Sequence, residues 1–246
     1  MLKKLIQFLL QRTLGYQRYL FLFARFNIRE LKAGRHEQEF RHFLNLIPEE
    51  GAILDIGANI GIITAVLAMN RKRATIHAFE PIPENVEVLE RVVRHYQLPN
   101  VHISPIALGD KTGSIRMVRP VIRGVKMQGL SHVLPEGQEE NVEEGSIFSV
   151  PVQRLDDIPE LQALPKITAV KMDVENFEYH VLLGGRNLLQ RHRPVVYCEL
   201  WANAVRDQCL ELMKELGYTA NVMERGQMVP YSGQANINFI FIPSGK

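Results

Sequence analysis

The sequence predicts an α/β fold: a mostly parallel, seven-stranded sheet with helices on both faces, an antiparallel closing hairpin and an N-terminal helical extension. Three observations carry that expectation. From residue 51 short apolar runs alternate with helix-periodic segments, the pattern of βαβ units. The runs are apolar almost throughout, as in a sheet covered on both sides. The last two, "YTANVM" and "NINFIFIP", have only a loop near Gly226 to Gly233 between them, too short for a helical crossover.

The elements follow in order. Residues 1–45 form the extension. Within "LKKLIQFLLQRTLGYQRYLFLFARF", Leu2, Leu5, Ile6 and Leu9 share one helical face. After Gly15, Tyr16, Tyr19, Leu20, Phe23 and Phe26 repeat that spacing. Basic residues (Lys3, Lys4, Arg12, Arg18, Arg25, Arg29, Lys32, Arg35) dominate its first 35 positions, against Glu30. The stripe suits packing on the domain, the commoner fate. It also suits a homodimer contact, a cap over an acceptor pocket, or peripheral contact with an anionic membrane.

Residues 46–246 form the domain. "AILDIG" reads as a buried strand, "NIGIITAVLAMN" as a helix, and "ATIHAFEP" as a second strand ending on an acid. "PENVEVLERVVRHY" carries Val86, Leu89 and Val93 at helical spacing, and Pro105 cuts short the strand "NVHISPIAL". An insertion of about 110–156 interrupts the alternation: "SIRMV" and "SIFSVPVQRL" read as strands around a Gly-rich polar stretch. Then come strand "ITAVKMD", helix "EYHVLLGG", strand "PVVYCEL" and helix "RDQCLELMKELG", stopped by Gly217. Five parallel strands with this ending are the architecture of class I methyltransferases.

Composition is that of an ordinary globular chain, 46% hydrophobic and 23% charged over 246 residues. A formal net charge of +2 makes no global case for nucleic acid, and no partner of that kind is expected. The two cysteines, Cys198 and Cys209, have no metal-ligand or disulfide-framework spacing. No apolar run reaches bilayer length, and the N-terminal stretch lacks a cleavage site. The expected location is the cytoplasm, peripheral at the membrane if the extension binds lipid.

The turn in "ILDIGANIG" raises the chemical question. A dinucleotide fingerprint needs G-x-G-x-x-G, but Asn59 and Ile62 stand at the later positions, and no Walker lysine follows. S-adenosylmethionine fits better. Gly57 and Gly61 allow close backbone approach, with Ala58 between them. Asp55 can accept from a cationic amino group or order the loop. Asn59 and the helix N-terminus can meet a carboxylate. Glu80, followed by Pro81, sits where an acid would accept both ribose hydroxyls, and Ile106 and Ala107 would cover adenine. Singly each residue reads as a turn or cap residue; at successive strand ends they read as a cofactor site.

"LDIGANIGIITAVLA", "HAFEPIPENVEVLE", "SPIALGDKTGSI", "VPVQRLDDI" and "KMDVENFEYHVLLGG…RPVVYCEL" resemble, in family order over residues 51–200, the FkbM family of S-adenosylmethionine-dependent methyltransferases. The resemblance implies the class I fold, S-adenosylmethionine as cofactor, and O-methyl transfer to a hydroxyl, with saccharides, glycolipids or polyketide-type natural products as acceptors. The family's Asp-x-Glu-Gly stands here as Asp173-Val174-Glu175-Asn176, with Asn tolerating the left-handed turn and adding a polar group beside the acceptor.

An alcohol needs a general base. Asp173, which also borders the cofactor, is the first candidate for base or acceptor ligand; Glu175 and Glu199 follow. Glu175 and Glu178 also read as helix-start residues. His132 in "GLSHV" is a further candidate base, although a lone loop histidine is more often solvated. No His or Cys joins the acids at ligand spacing, so no metal is expected. Transfer to nitrogen would call for a proline-containing turn in place of "DVEN". A non-catalytic binding or assembly module is the alternative function, and the intact turn with Glu80 speaks against it.

Overall fold

The computed structural model describes residues 2–34, 38–122, 124–134 and 147–245. The polar stretch 135–146 of the insertion lies outside them.

Helices α1 (Leu2–Leu14), α2 (Tyr16–Lys32) and α3 (Gln38–Leu46) precede the sheet. Gly15, at φ 76°, separates the first two, a left-handed setting that glycine takes without steric penalty. Then follow β1 (Glu50–Ile56), α4 (Ile62–Asn70), β2 (Arg73–Phe79), α5 (Pro83–Tyr96) and β3 (Val101–Ser104). The end of the expected third strand forms a separate β4 (Ala107–Leu108), and the insertion contributes β5 (Gly113–Val118), β6 (Val121–Ile122), β7 (Val125–Lys126), β8 (His132–Val133) and β9 (Ile147–Gln153). The second half holds α6 (Pro159–Gln162), β10 (Ile167–Met172), α7 (Glu178–Gly184), α8 (Arg186–His192), β11 (Val195–Glu199), α9 (Ala204–Glu215), β12 (Tyr218–Glu224), β13 (Gln227–Pro230) and β14 (Asn238–Pro243).

The main sheet runs β13-β12-β14-β11-β10-β1-β2-β3. The pairs joining β11, β10, β1, β2 and β3 are parallel, and β14 runs antiparallel to both β11 and β12. An eighth strand, β13, joins the expected seven. The stretch read as a loop turns back on β12 through Arg225 and Gly226, both at positive φ (50° and 79°), the geometry of a two-residue hairpin. The helix expected from Asn59 begins only at Ile62, because Asn59 (φ 50°) and Gly61 (φ 81°) are left-handed.

Alternation along the central strands sorts side chains between two cores. Ala52, Leu54 and Ile56 of β1 face the layer of α7, α8 and α9, together with Val170 and Met172 of β10. Ile53 and Ala169 face the other layer, which contains α2, α3, α4 and α5. Asp55 lies in register with Lys171, and Lys171 with Tyr197, so these three side chains follow one another across that second face. Phe43 of α3 stacks on Tyr197, ring centroids 5.4 Å apart.

Helices α2 and α3 are built into this core. Tyr19, Leu20, Ala24 and Ile28 of α2 are buried in one cluster with residues of α4 and α5. Three residues of the expected stripes point away from the core and are exposed: Ile6 and Leu9 of α1 and Phe26 of α2. The insertion takes part in a separate four-stranded sheet, β4-β9-β5-β8, whose Ile115, Met117 and Val133 face one cleft with Ile56 and Phe79 at the C-terminal ends of β1 and β2. Arg119, which follows β5, is buried against the rings of Tyr16 and Phe148 and ion-pairs with Glu84 at the start of α5. One guanidinium thereby ties insertion, α2 and α5 together.

Because Leu20 is fully buried, Leu20→Ala is expected to destabilise the chain by about 2–5 kcal/mol in urea unfolding monitored by circular dichroism. A change below about 0.5 kcal/mol would mean that α2 is not part of the cooperative core.

Candidate functional site

Strand order reverses direction between β1 and β10, and ligands of open α/β sheets bind beyond such a switch point. Here the two strand ends touch. A Cβ on Gly57 would stand 1.9 Å from the carbonyl oxygen of Asp173, and Gly57 has φ 74°, so both space and conformation demand glycine. The Asp173 N–H donates to the Ile56 carbonyl at 3.1 Å.

Two neighbouring residues hold the turn. Lys171 Nζ donates to the Gly57 carbonyl (3.2 Å) and lies 3.6 Å from Asp55 Oδ1 and 3.9 Å from Asp173 Oδ2. On the opposite side Glu80 accepts from the backbone N–H of Asn59 (2.8 Å) and Ile82 (3.0 Å) and from Asn85 Nδ2 (3.1 Å). Burial pushes the Glu80 carboxyl up from its ordinary value, against the lowering effect of those donors and of Lys171.

Above the turn lies a cleft of roughly 630 Å³, open solvent at its mouth included. Of the expected cofactor residues, Gly57, Asn59, Glu80, Pro81, Ile106, Ala107 and Asp173 line it. A second cleft, roughly 1060 Å³ counted the same way, adjoins it. Gly57, Asn59, Gln128, Gly129 and Asp173 border both. Ala58, Ile60, Ile62, Ile63 and Lys171 complete the second, with Phe23, Asn27 and Leu31 of α2 as its far wall.

Two expected cofactor residues line neither cleft. Asp55 is fully buried beneath the turn, where Thr64 Oγ1 donates to its Oδ2 at 2.6 Å. Of its two expected roles the geometry leaves loop ordering. Gly61 lies where a side chain would collide with Leu89 (2.5 Å), so it serves the packing of α4 on α5. Glu80 is also more occupied than expected. Among the described residues Oε1 receives two N–H donors and Oε2 one, which leaves room for one ribose hydroxyl rather than two.

The candidate base residues separate similarly. Asp173 and Glu175 line the first cleft. Glu199 ends β11 outside both clefts, close enough for its charge to raise the Glu175 pKa. His132 is on β8 between Ser131 and Val133, which line the cleft; strand alternation puts His132 on the opposite face, its Nδ1 3.0 Å from the Leu130 carbonyl oxygen. Glu178 is buried and accepts from the Val174 N–H at 3.1 Å, a structural role. Asn176 takes the left-handed conformation (φ 71°) beside Glu175 (φ 52°). Its amide turns to Asn203 at the start of α9, away from the cleft. Among the described residues no group of three or more His, Cys, Asp or Glu side chains is arranged to hold a metal ion.

The family model described as the methyltransferase FkbM domain matches residues 55–220. The chain belongs to the FkbM methyltransferase family. It is 27% identical over 151 residues to Methyltransferase 1 of Beauveria bassiana (strain ARSEF 2860), covering 56% of this chain and 59% of that protein. It is likewise 27% identical over 172 residues to the 31-O-demethyl-FK506 methyltransferase FkbM of Streptomyces tacrolimicus, covering 58% and 62%. Methyltransferase FkbM from Methylobacillus flagellatus KT has the same fold, with a TM-score of 0.52 at 18% identity over 78% of this chain and 44% of that one. The chain thus spans about six-tenths of these two curated relatives and under half of the solved protein.

S-adenosylmethionine is the cofactor of this FkbM chain, and the donor set fits it. Asn59 Oδ1 and Asn85 Oδ1, both on cleft-lining residues, are buried acceptors without a hydrogen-bond partner among the described residues. With the remaining Glu80 Oε2 lone pair they suit a ligand carrying hydroxyls and an ammonium group. Ile106, Ala107, Leu108 and Phe177 supply an apolar surface for a base. Asn85 and Lys171 escaped the sequence reading. Lys171 had a signal, a lone charge in the apolar run "ITAVKM"; the α2 wall had none.

Calorimetric titration with S-adenosylmethionine is expected to show Gly57→Ala weakening binding by roughly ten-fold or more. Asn59→Gly, which keeps the left-handed backbone and removes the unpartnered carbonyl, is expected to weaken it by a smaller factor. Wild-type affinity in both folded variants would remove the turn from the binding surface.

Proposed function

We propose that this FkbM-family chain transfers a methyl group to a hydroxyl oxygen of a saccharide, glycolipid or related natural product. The observation that carries the reading is the pair of acids following β10. Asp173 borders both clefts, and Glu175, half-buried, has its carboxyl pushed up to about 7. Desolvation is the main cause; the charges of Asp173, Glu199 and Glu178 add to it, and Lys171 opposes them.

When bound, S-adenosylmethionine supplies an already activated methyl on a sulfonium, so the protein's tasks are alignment and proton removal. Glu175 would take the acceptor's hydroxyl proton while that oxygen bonds the methyl carbon and the methyl–sulfur bond breaks, its electron pair staying on sulfur as a neutral thioether. A carboxylate near 7 is a better base than an ordinary one and is still half ionised at neutral pH. Asp173, held by Lys171, accepts a hydrogen bond from the acceptor and fixes its approach. The acceptor enters through the second cleft, between α2 and the turn.

Oxygen as the acceptor atom draws support from the Streptomyces tacrolimicus relative, whose name specifies a 31-O-demethyl substrate. The acidic turn 173–176, without proline, suits an alcohol better than a planar amine. A cytoplasmic setting is supported by Cys198 and Cys209, both buried free thiols. No helix among the described residues is long and apolar enough to cross a membrane.

The rate of methyl transfer to a hydroxyl acceptor is expected to fall as pH drops through about 7, as Glu175 protonates. Glu175→Gln is expected to lower kcat by roughly 10²–10⁴ and to abolish that limb. The sign for stability is the reverse. Glu175 binds its proton more tightly when folded, so the folded state is favoured at low pH, and stability falls as pH rises from about 4.5 to about 7. An unchanged pH profile in Glu175→Gln would assign the base elsewhere.

A further inference from the structure

The outward faces of the two N-terminal helices carry exposed apolar side chains, Ile6, Leu9, Leu10, Leu14, Leu22 and Phe26, that the cleft chemistry leaves unused. Helix α2 buries Tyr19, Leu20, Ala24 and Ile28 against the domain. The opposite stripe carries Arg18, Leu22, Arg25 and Arg29 at intervals of four, three and four residues, with Phe26 four residues after Leu22. Phe26 is 61% exposed and Leu22 47%. Helix α1 packs differently but leaves a similar surface. Gln11 bonds the backbone of Lys126 on β7 in both directions and Phe8 lies against Gly124, whereas Ile6, Leu9, Leu10 and Leu14 face outward. So much apolar side chain on consecutive helices marks a surface made to be covered.

Charge identifies what covers it. From Gln11 to Gly34 the chain carries Arg12, Arg18, Arg25, Arg29 and Lys32 against the single acid Glu30. Apolar side chains interleaved with one-signed charge match the boundary of an anionic bilayer, with hydrocarbon below and phosphates around it. Among the described residues no helix has the length and hydropathy to span, so the pair lies in the plane of the interface.

We propose that the outward face of α1 and α2 docks this chain on an anionic lipid surface. The adjacent face of α2, through Phe23, Asn27 and Leu31, walls the second cleft. Docking therefore sets the mouth of that cleft beside the lipid headgroups. The inference stands on the exposed face alone and holds whether or not the methyl-transfer reading does.

The test is co-sedimentation of the full chain with vesicles of phosphatidylcholine alone and of phosphatidylcholine mixed with phosphatidylglycerol. The wild type is expected to pellet with the mixed vesicles and to remain soluble with the neutral ones. Arg18→Gln combined with Arg29→Gln is expected to weaken partitioning by roughly five-fold per arginine. Leu22→Asp combined with Phe26→Asp, on exposed positions that leave the core intact, is expected to abolish it. Equal pelleting with neutral vesicles, or wild-type pelleting of both double variants, would overturn the proposal. So would a wild type that ignores both vesicles yet forms a dimer that Phe26→Asp dissociates in light scattering, because the face would then be a protein interface.

Discussion

A single buried ammonium, that of Lys171, sets the shape on which the site depends. It stands on the central strand β10, in register with Asp55 of β1, and joins Asp55, the Gly57 carbonyl and Asp173. Replacing a buried ion pair by apolar side chains of similar volume is often neutral or stabilising, whereas removing one partner typically costs about 3–5 kcal/mol. Stability alone therefore does not account for the arrangement. Its effect is positional: one charge fixes the ends of two adjacent strands relative to one another at the switch point of the sheet.

Glu80 completes the constraint from the opposite side. Its three N–H donors come from the glycine turn, the segment after β2 and the first turn of α5. Between Lys171 and Glu80 the backbone of residues 57–61 is held in alternating left-handed conformations with no ligand needed to shape it. The binding surface is preorganised in this way, and little conformational entropy is left to lose when a ligand arrives. The acids after β10 receive comparable support. Glu178 holds the Val174 N–H and Asn203 holds Asn176, which locks Glu175 in a strained left-handed position beside Asp173.

Helix α2 connects this rigid centre to the outside. One face belongs to the core, the next walls the second cleft, and the third is apolar and basic toward solvent. Arg119 ties the same helix to the insertion sheet, which roofs the first cleft. Extension and insertion thus meet over the site and shape it together.

Much was decided by local patterning. The strand–helix alternation, the end of β3 at Pro105 and the bounds of α5 follow from periodicity and from residues with restricted backbones, as does the left-handed turn at Asn176. The positions of Gly57, Asn59, Glu80 and Asp173 around one cleft were legible because strand ends in a parallel sheet share an edge. What each polar side chain does there was not. Asp55 lies below the turn because β1 and β10 pair in a register that places Lys171 beside it. His132 faces away because of its phase on β8, and Glu80 is nearly saturated because α5 returns Asn85 to it. Most elements of the main sheet, and the strand ends that carry chemistry, follow from propensity and period, which are local; β13 does not. Which side chains meet follows from register, helix rotation and burial, which arise from contacts between residues far apart in the chain and so exist only once it is folded.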